Sequence, residues 1–144
     1  MANIRVGAMG ESSELVVEEL TAARYGSGLV PSFATPAMVA LMENSAVRAI
    51  EKFLAPGETS VGIEICAKHL AATPVGMTVT ARAEVVEVEG RRVKFAIEAW
   101  DDRDKIGEGT HWRSVVDAEK FKQRFEEKAR SVKVSREQSN DHKD

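Results

Sequence analysis

The chain has 144 residues, enough for one domain, with 43% hydrophobic and 30% charged residues and a formal net charge of −3. That balance belongs to an ordinary soluble globular protein with no basic bias, so nucleic acid is not an expected partner. No apolar run approaches the ~20 residues of a membrane span, and the single cysteine, Cys66, excludes an intramolecular disulfide or a cysteine-built zinc site.

The N-terminal "MANIRVGAMGESSE" has no long apolar segment behind its arginine, which argues against a secretory signal, so a reducing, cytoplasmic setting is expected. Residues 12–20, "SSELVVEEL", read as a first strand, or as a short strand leading into a turn. "ARYGSGLVPSF" (23–33) carries two glycines and a proline and reads as a loop, a flap over whatever follows. A helix is predicted next. Thr35 suits its N-cap and Pro36 its first turn, where a missing N–H costs nothing. The helix runs to about Leu54 and stops at "APG", roughly 18 residues or about 27 Å. Its first half, Ala37 to Met42, is apolar nearly all round, which predicts burial on all sides; Arg48, Glu51 and Lys52 carry the second half into solvent.

Alternation then takes over. In 59–70, Val61, Ile63 and Ile65 are predicted on one face. In 77–90 the face is Val79, Ala81, Ala83 and Val85, and the doubled Val85–Val86 shifts the phase and predicts a bulge. In 91–101 it is Val93, Phe95, Ile97 and Ala99, and 106–117 is a last strand. Turns at 89–90 and 101–105 are short, so the strands pair antiparallel. The fold class is therefore α+β, an antiparallel sheet wrapped around one long central helix. Residues 1–133 form that domain. Phe121 and Phe125 can seat a short helix on the body, and 134–144 is expected to be a polar, disordered tail.

Glu43 is the odd residue in the helix. Val39, Ala46, Val47 and Ile50 surround it at helical spacing, so the carboxylate must be hydrogen-bonded, neutral, or facing a cavity or a partner subunit. A purely structural glutamate, bonded to a backbone N–H or a neighbouring loop, is the competing role. Thr35 has a bland role as a cap, and a sharper one as a hydroxyl at the positive end of a helix, able to attack or to orient water if a base is near. His69, at a strand end before a Thr-Pro turn, is the best-placed base of three histidines. His111 lies mid-strand in "GTHWR", where a structural role is commoner, and His142 lies in the tail. Thr35 and Glu43 are 8 residues apart, about 12 Å along one helix, and cannot touch within one chain. Either His69 bridges part of the gap or a second protomer supplies one member, which predicts a dimer with its site at the interface.

"FATPAMVALME" (33–43), "GETSVGIEICAKHLAATPVGMTV" (57–79) and "F…D…IGEGTHWR" (95–113) resemble the hotdog-fold acyl-CoA thioesterases, and within them the fluoroacetyl-CoA thioesterase-like group. The similarity spans about residues 14 to 125. It is specific because Thr, Glu and His keep the family's order and spacing, Thr35, Glu43 8 residues on, His69 26 further. The resemblance implies a hotdog fold, hydrolysis of a small acyl-CoA to free acid and CoA, and a Thr35/Glu43/His69 triad. It also implies a Gly62 backbone contact to the thioester carbonyl, and homodimers with interfacial sites that can pair into tetramers. An aromatic lid over the acyl pocket belongs to the group, and Phe33 and Tyr25 are the aromatic residues on offer. Arg113, with Arg82, Arg91, Arg92 and the tail lysines, is a candidate to hold the anionic end of CoA. No metal or cofactor is needed, because a thioester is already a good acyl donor. Two other functions fit such a chain: a hotdog hydratase or dehydratase, and a non-catalytic acyl-CoA binding module.

Overall fold

The computed structural model describes residues 2–141. Its elements are β1 (Met9–Leu15), a one-turn helix α1 (Ala22–Tyr25), the long helix α2 (Thr35–Ile50), β2 (Glu58–His69), β3 (Thr78–Glu89), β4 (Arg92–Trp100), β5 (Lys105–Asp117) and α3 (Ala118–Asp141). The strands form one antiparallel sheet in the order β1-β3-β4-β5-β2. The inner face packs on α2. Val79, Ala81, Ala83 and Val85 of β3 and Val93, Phe95, Ile97 and Ala99 of β4 meet Ala37, Met38, Leu41, Met42, Ala46, Ala49 and Ile50 of the helix. Burial of each larger side chain is worth about 1.5–3 kcal/mol. α2 crosses β1 so closely that a Cβ on Gly10 would lie 2.3 Å from the Ala49 nitrogen and the Ser45 oxygen.

The predicted bulge at Val86 is present: the β3–β4 register shifts between Val85 and Glu87. β1 is a short strand that leads into a turn: it ends at Leu15, and residues 18–20 form a 3₁₀ turn that Thr21 closes by donating its hydroxyl to the Glu18 carbonyl at 2.7 Å. Two predictions change. α2 is not buried all round, because the sheet covers one side only; Pro36 and Ala40 are exposed and Val39 half-buried. In β2 the alternation breaks at a second bulge. Ile63 has no counterpart on β5, since Gly62 pairs with Arg113 and Glu64 with Trp112, and Ile63 is 48% exposed. α3 spans Ala118–Asp141, and its first half is rich in Glu, Lys, Arg and Gln, which are strong helix formers. The Asp117 carboxylate accepts the Lys120 N–H at its start. Phe121 and Phe125 pack edge-to-face on one another at 6.0 Å and stay largely exposed. Residues 142–144 lie outside the described residues.

The loop read as a flap is pinned at its C-terminal end. Phe33 bridges to Thr21 and Ser32 to Pro74, while Leu29 at the tip is fully exposed. No helix among the described residues is long and apolar enough to cross a membrane.

Candidate active site

Thr35 is the first residue of α2, but the cap is Ala34, and the threonine hydroxyl does not cap the helix. It lies 2.8 Å from Nδ1 of His69 instead. His69 ends β2, where the chain leaves the sheet after Leu70 donates its N–H to the Ile106 carbonyl. Burial lowers the proton affinity of the imidazole; the Ala71 backbone works the other way. A neutral ring can accept the Thr35 proton at Nδ1, which is the arrangement of an activated hydroxyl. Nε2 is shielded from solvent and has no hydrogen-bond partner in the protomer. Thr35, His69, Phe33, Ser32 and Ala71 line one cleft of about 320 Å³. Phe33 forms part of that wall from a buried position, and Tyr25 stands out in solvent.

Glu43 belongs to a different cluster. One helical turn after another separates it from Thr35, and it lies against β2 and β5. Its carboxylate is 3.6 Å from Nη1 of Arg113, with the glutamate side chain 40% exposed and the arginine 8%. Gly62 lies over this pair: a Cβ there would be 3.0 Å from Glu43 Oε2, 3.3 Å from His111 Cε1 and 3.4 Å from Arg113 Nη1. Arg113 donates from Nε to the Ser60 hydroxyl at 2.9 Å and from Nη2 to the Ser60 carbonyl at 3.1 Å. Arg113 is therefore an interior residue and not one of the surface cations that the sequence offered for the CoA anion. Burial lowers the proton affinity of the guanidinium, opposed by the facing Glu43.

Each protomer thus holds two separate clusters, Thr35–His69 and Glu43–Gly62–Arg113, which the chain does not bring together. His111, expected from the sequence to be structural, and Ser60, not singled out there, belong to the second cluster. The legible signal was "HWR": His111 and Arg113, two apart on a strand, must share a face, and that face is the buried one. Among the described residues no group of three or more His, Cys, Asp or Glu side chains is placed to hold a metal.

The model of the fluoroacetyl-CoA-specific thioesterase family (FlK) matches residues 16–119. The chain belongs to that family. The fluoroacetyl-CoA-specific thioesterase family places it among the hotdog-fold acyl-CoA thioesterases, enzymes that hydrolyse acyl-CoA thioesters. A fluoroacetyl-CoA thioesterase of Streptantibioticus cattleyicolor is 51% identical over 96 residues, covering 67% of this chain and 69% of the relative. A point mutant of the fluoroacetyl-CoA-specific thioesterase FlK, solved with fluoroacetate and CoA, superposes with a TM-score of 0.76 at 43% identity, covering 82% of this chain and 99% of that one. A hypothetical protein of Thermus thermophilus described as a thioesterase superfamily member superposes with a TM-score of 0.86 at 30% identity, covering 93% and 99%.

Proposed function

We propose that the protein hydrolyses a small acyl-CoA thioester to free acid and CoA, as a cytoplasmic homodimer whose sites each combine half-sites from two protomers. The single observation that carries this is the 2.8 Å hydrogen bond between a helix-terminal threonine hydroxyl, free of any capping duty, and His69 Nδ1. His69 takes the proton, either from the Thr35 hydroxyl or from a water that Thr35 orients. The oxyanion that forms is held by backbone N–H groups near Gly62 and at the start of α2. Its collapse expels the CoA thiolate, which recovers the proton from His69; where water attacked, the free acid is formed directly, and where Thr35 attacked, a water deprotonated by His69 cleaves the acyl-threonine ester, releasing the acid and restoring the hydroxyl. Glu43 of the partner subunit orients the imidazole or activates water.

The free edge of β2 supports this assembly. It is 12 residues long, with Ile63 on it and Leu70 just past its end both about half exposed, a liability for a lone protomer and an asset for pairing. We infer that β2 pairs antiparallel with its copy across that edge, so that His69 of one protomer comes near Glu43 of the partner subunit.

The test is a panel of acyl-CoAs, acetyl through arylacetyl and longer, with free-thiol detection. Thiol release from short acyl-CoAs is expected. Binding without thiol release, or hydration of crotonyl-CoA with none, would overturn the hydrolytic reading. Mixing inactive Thr35→Ala with inactive Glu43→Ala tests the shared site: re-formed heterodimers regain activity if one intact site is assembled per dimer, and a mixture that stays inactive contradicts it.

A further inference from the structure

His111 is buried to 1% exposure in the middle of β5, stacked on Phe95 with ring centroids 5.9 Å apart. Both of its nitrogens are engaged. Nδ1 is 2.7 Å from the Glu64 carbonyl, which can only accept, so Nδ1 carries the proton and donates. Nε2 is 3.2 Å from Arg113 Nη1, which can only donate, so Nε2 carries none and accepts. The two neighbours together admit one state of the ring, neutral with the proton on Nδ1. The charged groups that face it are Arg113 on its own strand and Glu43 on α2; β2 presents the Glu64 main chain and β4 the Phe95 ring. Burial and the Arg113 charge both keep the proton off, against the pull of Glu43 and of the Glu64 carbonyl.

Ser60 fixes the Nε and Nη2 side of the guanidinium. Nη1 is the nitrogen that reaches Glu43, and His111 is what holds it. The same imidazole grips the Glu64 carbonyl, one residue beyond the Ile63 bulge and two beyond Gly62. It therefore ties the backbone that presents Gly62 to the side chain that faces Glu43.

We propose that His111 is a positioning residue: it fixes Arg113 Nη1 and the β2 backbone so that the Glu43 carboxylate and Gly62 keep their relative placement at the reacting centre. This rests on reading Glu43 and Gly62 as active-site groups. His111 does not touch substrate.

The 144-residue protein, labelled with ¹⁵N-histidine, gives the first test. With three histidines in the chain, the resonances are assigned by substituting His69 and His142. The expected spectrum shows His111 as the Nδ1–H tautomer, unprotonated at a pH where a free histidine is largely protonated. A Nε2–H tautomer, or titration at the ordinary histidine value of about 6.5, overturns the proposal. The second test is kinetic. His111→Leu keeps the packing on Phe95 and is expected to lower kcat by about 10- to 100-fold with KM changed less than about threefold, as small misplacements in a reacting site do. His111→Gln, whose amide oxygen reaches toward the Nε2 position, is expected to recover part of that loss. Wild-type kcat in His111→Leu, or equal loss in both variants, overturns it. A wild type that releases no thiol from any acyl-CoA refutes the thioesterase reading instead, and the tautomer measurement still decides where His111 points.

Discussion

Thr35 begins α2 without capping it, and its hydroxyl has His69 as its partner. Thr35→Ala should therefore leave thermal stability within about 0.5 kcal/mol, because no cap is removed, while kcat falls by about 10²-fold or more. Thr35→Ser, which keeps the hydroxyl, should retain most of the rate; steady-state kinetics and calorimetry on both variants check this. His69 sets the pH dependence. Its folded proton affinity is lowered by burial, so the unfolded chain binds the proton more readily below the ordinary value of about 6.5. Native stability should thus be lost as the pH falls from there, and be insensitive to His69 above it. By the same shift, the acid limb of kcat/KM should have its midpoint below about 6.5. Gly62→Ala separates activity from stability. The added methyl meets only side-chain atoms at 3.0–3.4 Å, which yield by small shifts, so the cost in stability should be at most about 1 kcal/mol. The atoms that must yield are those of Glu43, His111 and Arg113, and kcat should drop by about tenfold or more.

At the scale of elements, Gly10 is the counterpart. Its Cβ would run into main-chain nitrogen and oxygen of α2 at 2.3 Å, and backbone cannot step aside. Gly10→Ala should cost about 3 kcal/mol or more by forcing the helix off the sheet, read as a lowered melting temperature with the fold's strand content retained. The same elements show what the sequence made legible. Period-two alternation found β3, β4 and β5 and even the bulge at Val86, because the doubled valine is visible as a broken phase. The bulge at Ile63 left no such trace: Val61, Ile63 and Ile65 alternate cleanly, and only pairing with β5 puts Ile63 out of register. Similarly, the apolar run in α2 was read as all buried, although a partner surface also demands apolar residues, and Pro36 and Ala40 face away from the sheet. Residue chemistry and order single out Thr35, Glu43 and His69, and of these the structure joins Thr35 to His69. They do not single out the Arg113–His111–Ser60 support, because it depends on which strands lie side by side.

For the whole molecule, the proposed sharing of the site between two protomers predicts that catalysis depends on association. Specific activity should fall on dilution in step with the appearance of protomers in analytical ultracentrifugation, and activity that persists in the protomer would contradict the shared site. The far end of the chain should matter little. Phe121 and Phe125 stack on one another and remain exposed, so truncation after Lys122 should shift the stability by no more than about 1 kcal/mol.

One residue on β2 has a last consequence, and it is a matter of counting. Gly62 and His69 are separated by seven positions, an odd number, and on a regular strand an odd separation sends two side chains to opposite faces. Both face inward here because Ile63 is spent without advancing the pairing. The strand thus carries a one-residue phase correction, and the site is assembled on the corrected side. Deletion of Ile63 would take the correction away together with its cause: Gly62 and His69 would lie six apart, an even number, and every other residue of β2 would keep its partner on β5. Length variation in this protein is therefore tolerable in its loops and at this one strand position, where the extra residue lies outside the pairing.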